Sequence, residues 1–221
     1  MAVLFTIGHS NHSAEALVAL LQQQGVTALA DVRSHPYSRY HPQFNQAALK
    51  AQLAAQGLAY VFLGRELGAR PQAPSCYIEG KAVYEKIAAL PAFQTGLQRL
   101  LQGVEREHRI ALMCAEQDPL TCHRAILVCQ ALRPYNLDIQ HILKNGDLES
   151  HTALEARMLA RHHLQELPPS PAVQLSLFPS TPPEPPLSFS ERLSRAYQLQ
   201  GDQIAYVERA ASQPDAATIA D

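Results

Sequence analysis

Residues 3–32, "VLFTIGHSNHSAEALVALLQQQGVTALADV", hold two apolar runs separated by a stretch with a different rhythm. "VLFTIG" (3–8) is short, apolar and bounded by polar residues, which reads as a buried strand. In "SAEALVALLQQQG" the leucines at 17, 20 and 21 recur at helical spacing, with Ser13 as N-cap and Gly25 as the stop. "VTALADV" (26–32) is the next strand. Strand, helix, strand is a βαβ unit, and such a crossover places its two strands parallel in one sheet.

The alternation continues along the chain. The pattern predicts a helix over 45–57 closed by Gly57, a strand over 58–63, and a helical region from Val83 to Leu101 in which Pro91 starts a second piece. A strand over 109–113, a helix over 119–132 and a last strand over 137–143 follow. The predicted fold class is therefore α/β, a single mostly parallel sheet flanked by helices in a Rossmann-like three-layer arrangement, with a proline-rich tail. The expected organisation is an α/β domain over residues 1–166, a proline-rich linker over 167–190, and a short helical or partly disordered tail over 191–221. The sequence has no internal repeat.

Composition bounds the function. The chain has 221 residues, enough for one sizeable core, and a formal charge of −2. That charge argues against a protein held on nucleic acid by bulk electrostatics, though it leaves room for a local basic cleft. No apolar run reaches the roughly 18–20 residues that cross a bilayer, so no membrane association is expected. The start, "MAVLFTIGHS", lacks a basic leader, which points to a cytoplasmic protein. The four cysteines, at positions 76, 114, 122 and 129, are then expected to be reduced.

In a parallel sheet the ligand crevice lies outside the carboxyl ends of the strands. Here those ends are followed by "HSN" (9–11), "DVRSHPYSRYHPQF" (31–44), "GRELGARP" (64–71) and "CAEQDPLTCHR" (114–124), whereas the opposite turns, "QQQGV" and "AAQGL", are bland. Ionisable residues thus collect at one edge. In the last of these loops Asp118-Pro119 marks a helix start, which puts Cys122 in the second turn near a positive helix end with Arg124 beside it. Cys114 and Glu116 lie on the connecting loop as candidate nucleophile and general base, with His9 and Asp31 as further catalytic candidates. Asp31 could orient His9 or pair with Arg33. Ser10, Arg33, Arg39, Tyr37, Arg65, His123 and Arg124 are candidates for holding an anion and stacking on a base. Cys129 shares a helical face with Ile126 and reads as core, and Cys122 is divided between core and chemistry.

Cys114, Cys122 and His123 are also ligand types for a metal. Their spacing matches no common zinc finger, and neighbours on a helix point about 100° apart. A metal or redox centre is therefore an alternative and not the leading reading. A phosphatase or rhodanese loop is excluded, because Leu120 stands where the anion-binding arginine would be and Arg124 comes too late.

"TIGHSN", "DVRSHPYSRY", "FLGRELGARP", "MCAEQDPLTCHR" and "HILKNG", in this order between about residues 3 and 150, resemble the motifs of the domain-of-unknown-function family 488, DUF488. The resemblance implies an α/β fold and no settled activity. The family's motif positions fall on His9, Ser10, Asp31, Arg33, Arg39, Gly64, Arg65, Cys114, Glu116, Asp118, Cys122, His123 and Arg124. Ala69 stands where a second glycine is usual. A separate signal lies in the linker. "QLSLF" (174–178) resembles the pentapeptide with which bacterial DNA polymerases and repair proteins bind the sliding clamp, so Gln174, Leu175, Leu177 and Phe178 are candidate partner-binding residues.

Together these features lead to the expectation of an enzyme acting on a nucleic-acid or nucleotide-like anionic substrate, recruited to DNA by the clamp. The alternatives are a non-catalytic adaptor in DNA repair or replication, and a metal-binding or redox-sensing protein.

Overall fold

The computed structural model describes residues 2–166 and 187–208. Its strands are β1 (Ala2–Gly8), β2 (Ala28–Asp31), β3 (Ala59–Phe62), β4 (Tyr77–Ile78), β5 (Lys81–Ala82), β6 (Ile110–Cys114), β7 (Leu137–Ile142) and β8 (Leu148–Ser150). Six of them form one sheet in the order β3-β2-β6-β1-β7-β8, parallel throughout except for β8, and β4 and β5 form a small hairpin. The three-layer α/β fold read from the sequence is the fold observed. The short strands β4, β5 and β8 carried too few residues to register as a period.

The helices are α1 (Ala14–Gln23), α2 (Gln46–Ala55), α3 (Gly64–Leu67), α4 (Tyr84–Ala88), α5 (Pro91–Glu105), α6 (Gln130–Leu132), α7 (His151–Arg161) and α8 (Phe189–Ile204). Ser13 caps α1 by accepting from the Ala16 amide at 3.1 Å, and Gly25 and Gly57 turn the chain with φ of 63° and 73° after α1 and α2. These are the stop signals read from the sequence.

Alternate residues of each strand feed the two faces. Phe5, Ile7, Leu29, Ala111 and Met113 meet Leu17 and Leu21 of α1 and Leu49 and Leu53 of α2. Leu4, Ala30, Leu112 and Cys114 meet Phe93 and Leu97 of α5, Ile126, Met158 of α7, and Leu193 and Tyr197 of α8. Each fully buried Leu or Phe stabilises by about 1.5–3 kcal/mol, so both layers are substantial.

β6 is inserted between β2 and β1. The chain leaves β1 toward α1 on one face, and leaves β6 toward residues 124–132 on the other. Neighbouring strands whose exits diverge in this way open a crevice at their carboxyl ends. The register makes those ends level, with Gly8 opposite Cys114 and Asp31 opposite Met113.

One expected element is corrected. Residues 119–132 are not a continuous helix. Pro119–Thr121 is a single 3-10 turn, Cys122 is extended with φ −132° and ψ 136°, and Arg124–Cys129 is a π-helix that passes into α6. The Asp118-Pro119 cap is real, since Asp118 accepts from the Leu120 amide at 2.9 Å, but the turn it starts stops after three residues. Cys122 therefore does not sit in the second turn of a helix. A second difference lies in the tail. α8 is a 16-residue helix closed by a Ser188–Glu191 capping box, and it buries Leu193, Ala196 and Tyr197 in the core. The pentapeptide at 174–178 lies outside the described residues.

Candidate functional site

The loops after β1 and β6 are laced together by backbone hydrogen bonds. The amides of His9 and Ser10 donate to the carbonyls of Cys114 and Ala115, each at 2.9 Å. Gly8 allows this closeness, because a Cβ there would lie 1.9 Å from the Glu116 carbonyl oxygen. Ser10 takes a φ of 44°, a left-handed conformation that a non-glycine residue rarely adopts.

This lacing brings four ionisable side chains together. The Sγ atoms of Cys114 and Cys122 each lie 3.0 Å from Glu116 Oε2, and Cys114 Sγ lies 3.5 Å from His123 Nδ1. One ligand atom each from Cys114, Glu116, Cys122 and His123 falls within 4.8 Å of the others, a donor set suited to a divalent transition metal. His123 Nε2 lies 3.0 Å from the Val32 carbonyl, which can only accept, so Nε2 carries a proton and Nδ1 faces Cys114; burial lowers the His123 pKa, but Cys122 and Glu116 outweigh it and raise it. Both cysteines are buried, and Glu116, exposed as a residue, turns one carboxylate oxygen inward.

Arg124 is wholly buried. It donates to the carbonyls of Glu116 at 2.6 Å and Gln117 at 3.1 Å, and to Thr6 Oγ1 at 3.4 Å. The anion it faces is the cluster itself, not a solvent-borne ligand. Burial raises the Cys122 thiol, but the Cys114 hydrogen bond, Arg124 and His123 outweigh it and bring its pKa well below the usual range. Burial and the neighbouring Cys122 and Glu116 push Cys114 well up. Desolvation and the Cys122 anion raise Glu116. Two anions cannot sit 3.0 Å apart without a proton between them, so the Cys122–Glu116 contact is a proton-bearing hydrogen bond.

Beside the cluster, Arg33 Nε and Nη2 clamp Asp31 at 2.9 and 2.6 Å, and Tyr60 donates to the same carboxylate at 2.8 Å. Of the two roles open to Asp31, pairing with Arg33 is the one observed. Arg33 Nη2 also donates to the Phe44 carbonyl at 2.8 Å, and Nη1 lies 3.2 Å from His9 Nε2. The other ring nitrogen of His9 lies 3.0 Å from the Ser10 carbonyl. Both nitrogens are thus engaged, with Nδ1 donating and Nε2 accepting from Arg33. Burial and Arg33 lower the His9 pKa to about 4, so the ring is neutral and orients the guanidinium.

Two cavities meet here. One, of about 280 Å³, is lined by Arg33, Tyr37, Arg70, Cys114, Glu116 and His123. The other, of about 560 Å³, is lined by His9, Ser10, Arg33, Tyr37 and Glu116. Tyr37 stands at both and is 68 % exposed. Arg39 and Arg65 are exposed and line neither.

Residues that sequence reading passed over also line the smaller cavity, among them Arg70, Ile204 and Tyr206. Arg70 forms no ion pair among the described residues. Ile204 ends α8 and Tyr206 lies just beyond it, and the Arg70 guanidinium lies 4.2 Å from the centre of the Tyr206 ring. The signal for Arg70 was present in "GRELGARP". Nothing local marked Tyr206, because its place depends on where α8 docks. No helix of the described residues is long and apolar enough to cross a membrane.

A family model described as "Domain of unknown function DUF488" matches residues 13–130, just over half of the 221-residue chain. No curated protein and no solved structure matches the chain.

Proposed function

The chain belongs to the DUF488 family, and on that footing we propose that it is an enzyme acting on an anionic substrate of nucleic-acid or nucleotide type. One observation carries the reading. The cavity that holds Cys114, Glu116 and His123 at one end also holds Arg33, Arg70 and Tyr37. The first three are groups that can attack, protonate or deprotonate. The others suit a phosphate and a flat ring, with Arg70 free to form a charge-assisted hydrogen bond and Tyr37 to stack. In this reading Glu116, whose pKa is raised, transfers the proton at the reacting centre, and His9 and Asp31 hold Arg33 in position. The 174–178 peptide adds a tether to the sliding clamp, which raises effective affinity by about 10²–10⁴-fold without new contacts to DNA.

The test is binding of a fluorescent mononucleotide and a short single-stranded oligonucleotide to the full chain. Arg70→Gln is expected to weaken whichever binds by about tenfold, the worth of one charge-assisted hydrogen bond. Glu116→Gln should bind as before and abolish conversion of the bound probe, followed by mass spectrometry. Absence of binding, or binding indifferent to Arg70→Gln, sinks the reading. Binding without conversion in the unmodified chain points to a non-catalytic adaptor.

A further inference from the structure

We infer that Cys114, Cys122 and His123 are the ligands of a single divalent transition-metal ion, zinc by its chemistry, with Glu116 at the fourth position. The inference deepens the proposed enzyme reading by naming its reacting centre, and it rests on that reading only for the role of the metal, not for its binding.

Three features of the cluster support it. The first is the backbone. On a helix, Cys122 and His123 would diverge by about 100° and could not share an ion. Cys122 is instead extended between a 3-10 turn and a π-helix, and with this local break His123 meets Cys114 while Cys122 meets Glu116, all four ligand atoms lying within 4.8 Å of one another.

The second is geometry. Tetrahedral zinc with bonds of about 2.3 Å to sulfur and about 2.0–2.1 Å to nitrogen has an S···N edge of about 3.5 Å. Cys114 Sγ and His123 Nδ1 are 3.5 Å apart. The two S···O contacts, at 3.0 Å, are shorter than the corresponding edge of about 3.5 Å, so Glu116 would have to withdraw slightly on metal binding. Glu116 is the one exposed member, on a loop, while the other three are buried. It is therefore the exchangeable group, completing the shell at the fourth position and able to yield that position to a substrate atom.

The third is electrostatic. Two buried thiols, a carboxylate and an imidazole converge so that one ligand atom from each lies within 4.8 Å of the others. Buried charges are stable when paired or bound to metal. Two thiolates, a neutral imidazole and a divalent ion sum to zero, and Arg124 balances Glu116. The ligands are also held from behind, as metal ligands usually are. The Val32 carbonyl fixes the His123 tautomer, Arg124 clamps the 116 and 117 carbonyls, and the His9 amide donates to the Cys114 carbonyl.

The experiment uses the full chain, reduced and anaerobic, with Zn²⁺ alone and Co²⁺ alone as probes. Elemental analysis is expected to find one zinc per chain. Cobalt should give the intense visible bands of a tetrahedral site and a thiolate-to-cobalt charge-transfer band. Cys122→Ser should cut that band to roughly half per cobalt, since one of two thiolates remains. Cys76→Ala, which changes a cysteine outside the cluster, should leave it unchanged. Because Cys122→Ser could perturb the core, folding of each variant is checked by circular dichroism. Glu116→Gln, on the exposed loop, provides a second variant that should retain the metal and both thiolate contacts while changing the visible band shape.

An unmodified chain that takes up no metal overturns the proposal, as does cobalt bound without charge transfer or with a charge-transfer band per cobalt that Cys122→Ser leaves undiminished. The same preparations are tested with the nucleotide probes. Metal binding without nucleotide binding would remove the proposed substrate class and leave the metal site. Nucleotide binding and turnover without metal would do the reverse, leaving thiol chemistry at Cys122.

Discussion

His9 and His151 are far apart in sequence and alike in physics. Each is buried, and each has a pKa brought down to about 4, His9 by burial and Arg33, His151 by burial and Arg133. His151 belongs to a buried chain in which Thr6 Oγ1 meets His141 Nδ1 at 2.7 Å, His141 Nε2 meets His151 Nδ1 at 3.1 Å, and Tyr197 Oη meets His151 Nε2 at 2.9 Å. The pH dependence of stability follows in sign. Below about pH 6.5 the unfolded chain protonates these rings while the folded chain does not. The unfolded state then holds more protons, so stability falls as pH drops from about 6.5 to about 4 and levels off below. Urea unfolding at about pH 7 and about pH 4.5 should differ by on the order of 2 kcal/mol for each of the two rings. His151→Gln should remove its share of that slope. A slope unchanged in the variant would mean that His151 is protonated in the folded state.

At the scale of elements, the meeting of β1 with the loop after β6 decides whether a site exists. Gly8 ends β1 opposite Cys114, and its missing side chain leaves room for the Glu116 carbonyl. Gly8→Ala forces a contact of 1.9 Å onto backbone, which no rotamer change can relieve. The expected cost is about 1–3 kcal/mol, read from the denaturation midpoint, together with loss of the tetrahedral cobalt spectrum as Glu116 and Cys114 separate. An unshifted midpoint would show that residues 115–117 yield freely. The broken helix over 119–132 is informative at the same scale. Its apolar spacing at Ile126 and Cys129 was correctly read as core, and both are buried. What the spacing could not show is where the 3-10 turn stops. Cys122 is extended there because its side chain is drawn to Glu116 and Cys114, tertiary partners that outweigh local preference.

At the scale of the whole molecule, the tail is joined to the domain through α8. Gln200 donates to the Leu120 carbonyl at 2.8 Å, Tyr197 donates to Glu155 at 2.8 Å, and Arg192 donates to the Leu164 carbonyl at 3.3 Å. Tyr206, just beyond α8, then walls the cavity that holds Cys114. Residues 167–186 thus connect two segments that are both anchored in the body of the protein. A clamp-binding peptide at 174–178 would hold the site close to DNA. Phe178→Ala is expected to abolish binding to a purified bacterial sliding clamp while leaving the unfolding midpoint and metal content unchanged. Clamp binding that survives the substitution would rule out this peptide as the contact.

The βα alternation, the apolar periods and the caps were enough to determine the α/β class, the five parallel strands in their order along the chain and the sheet edge that carries the ionisable groups. They sufficed because burial imposes a period of two on strands and 3.6 on helices wherever the chain contributes to a core. Cys114, Glu116, Cys122 and His123 could be singled out in the same way, by lying where a strand ends. Their convergence could not, since it needs β6 inserted beside β1, a glycine at position 8 and an extended Cys122 at once. The tertiary structure also decided that Arg124 faces inward, that Asp31 serves Arg33, and that Arg70 and Tyr206 close the cavity. These are contacts between residues distant in sequence, and a local period carries no information about them.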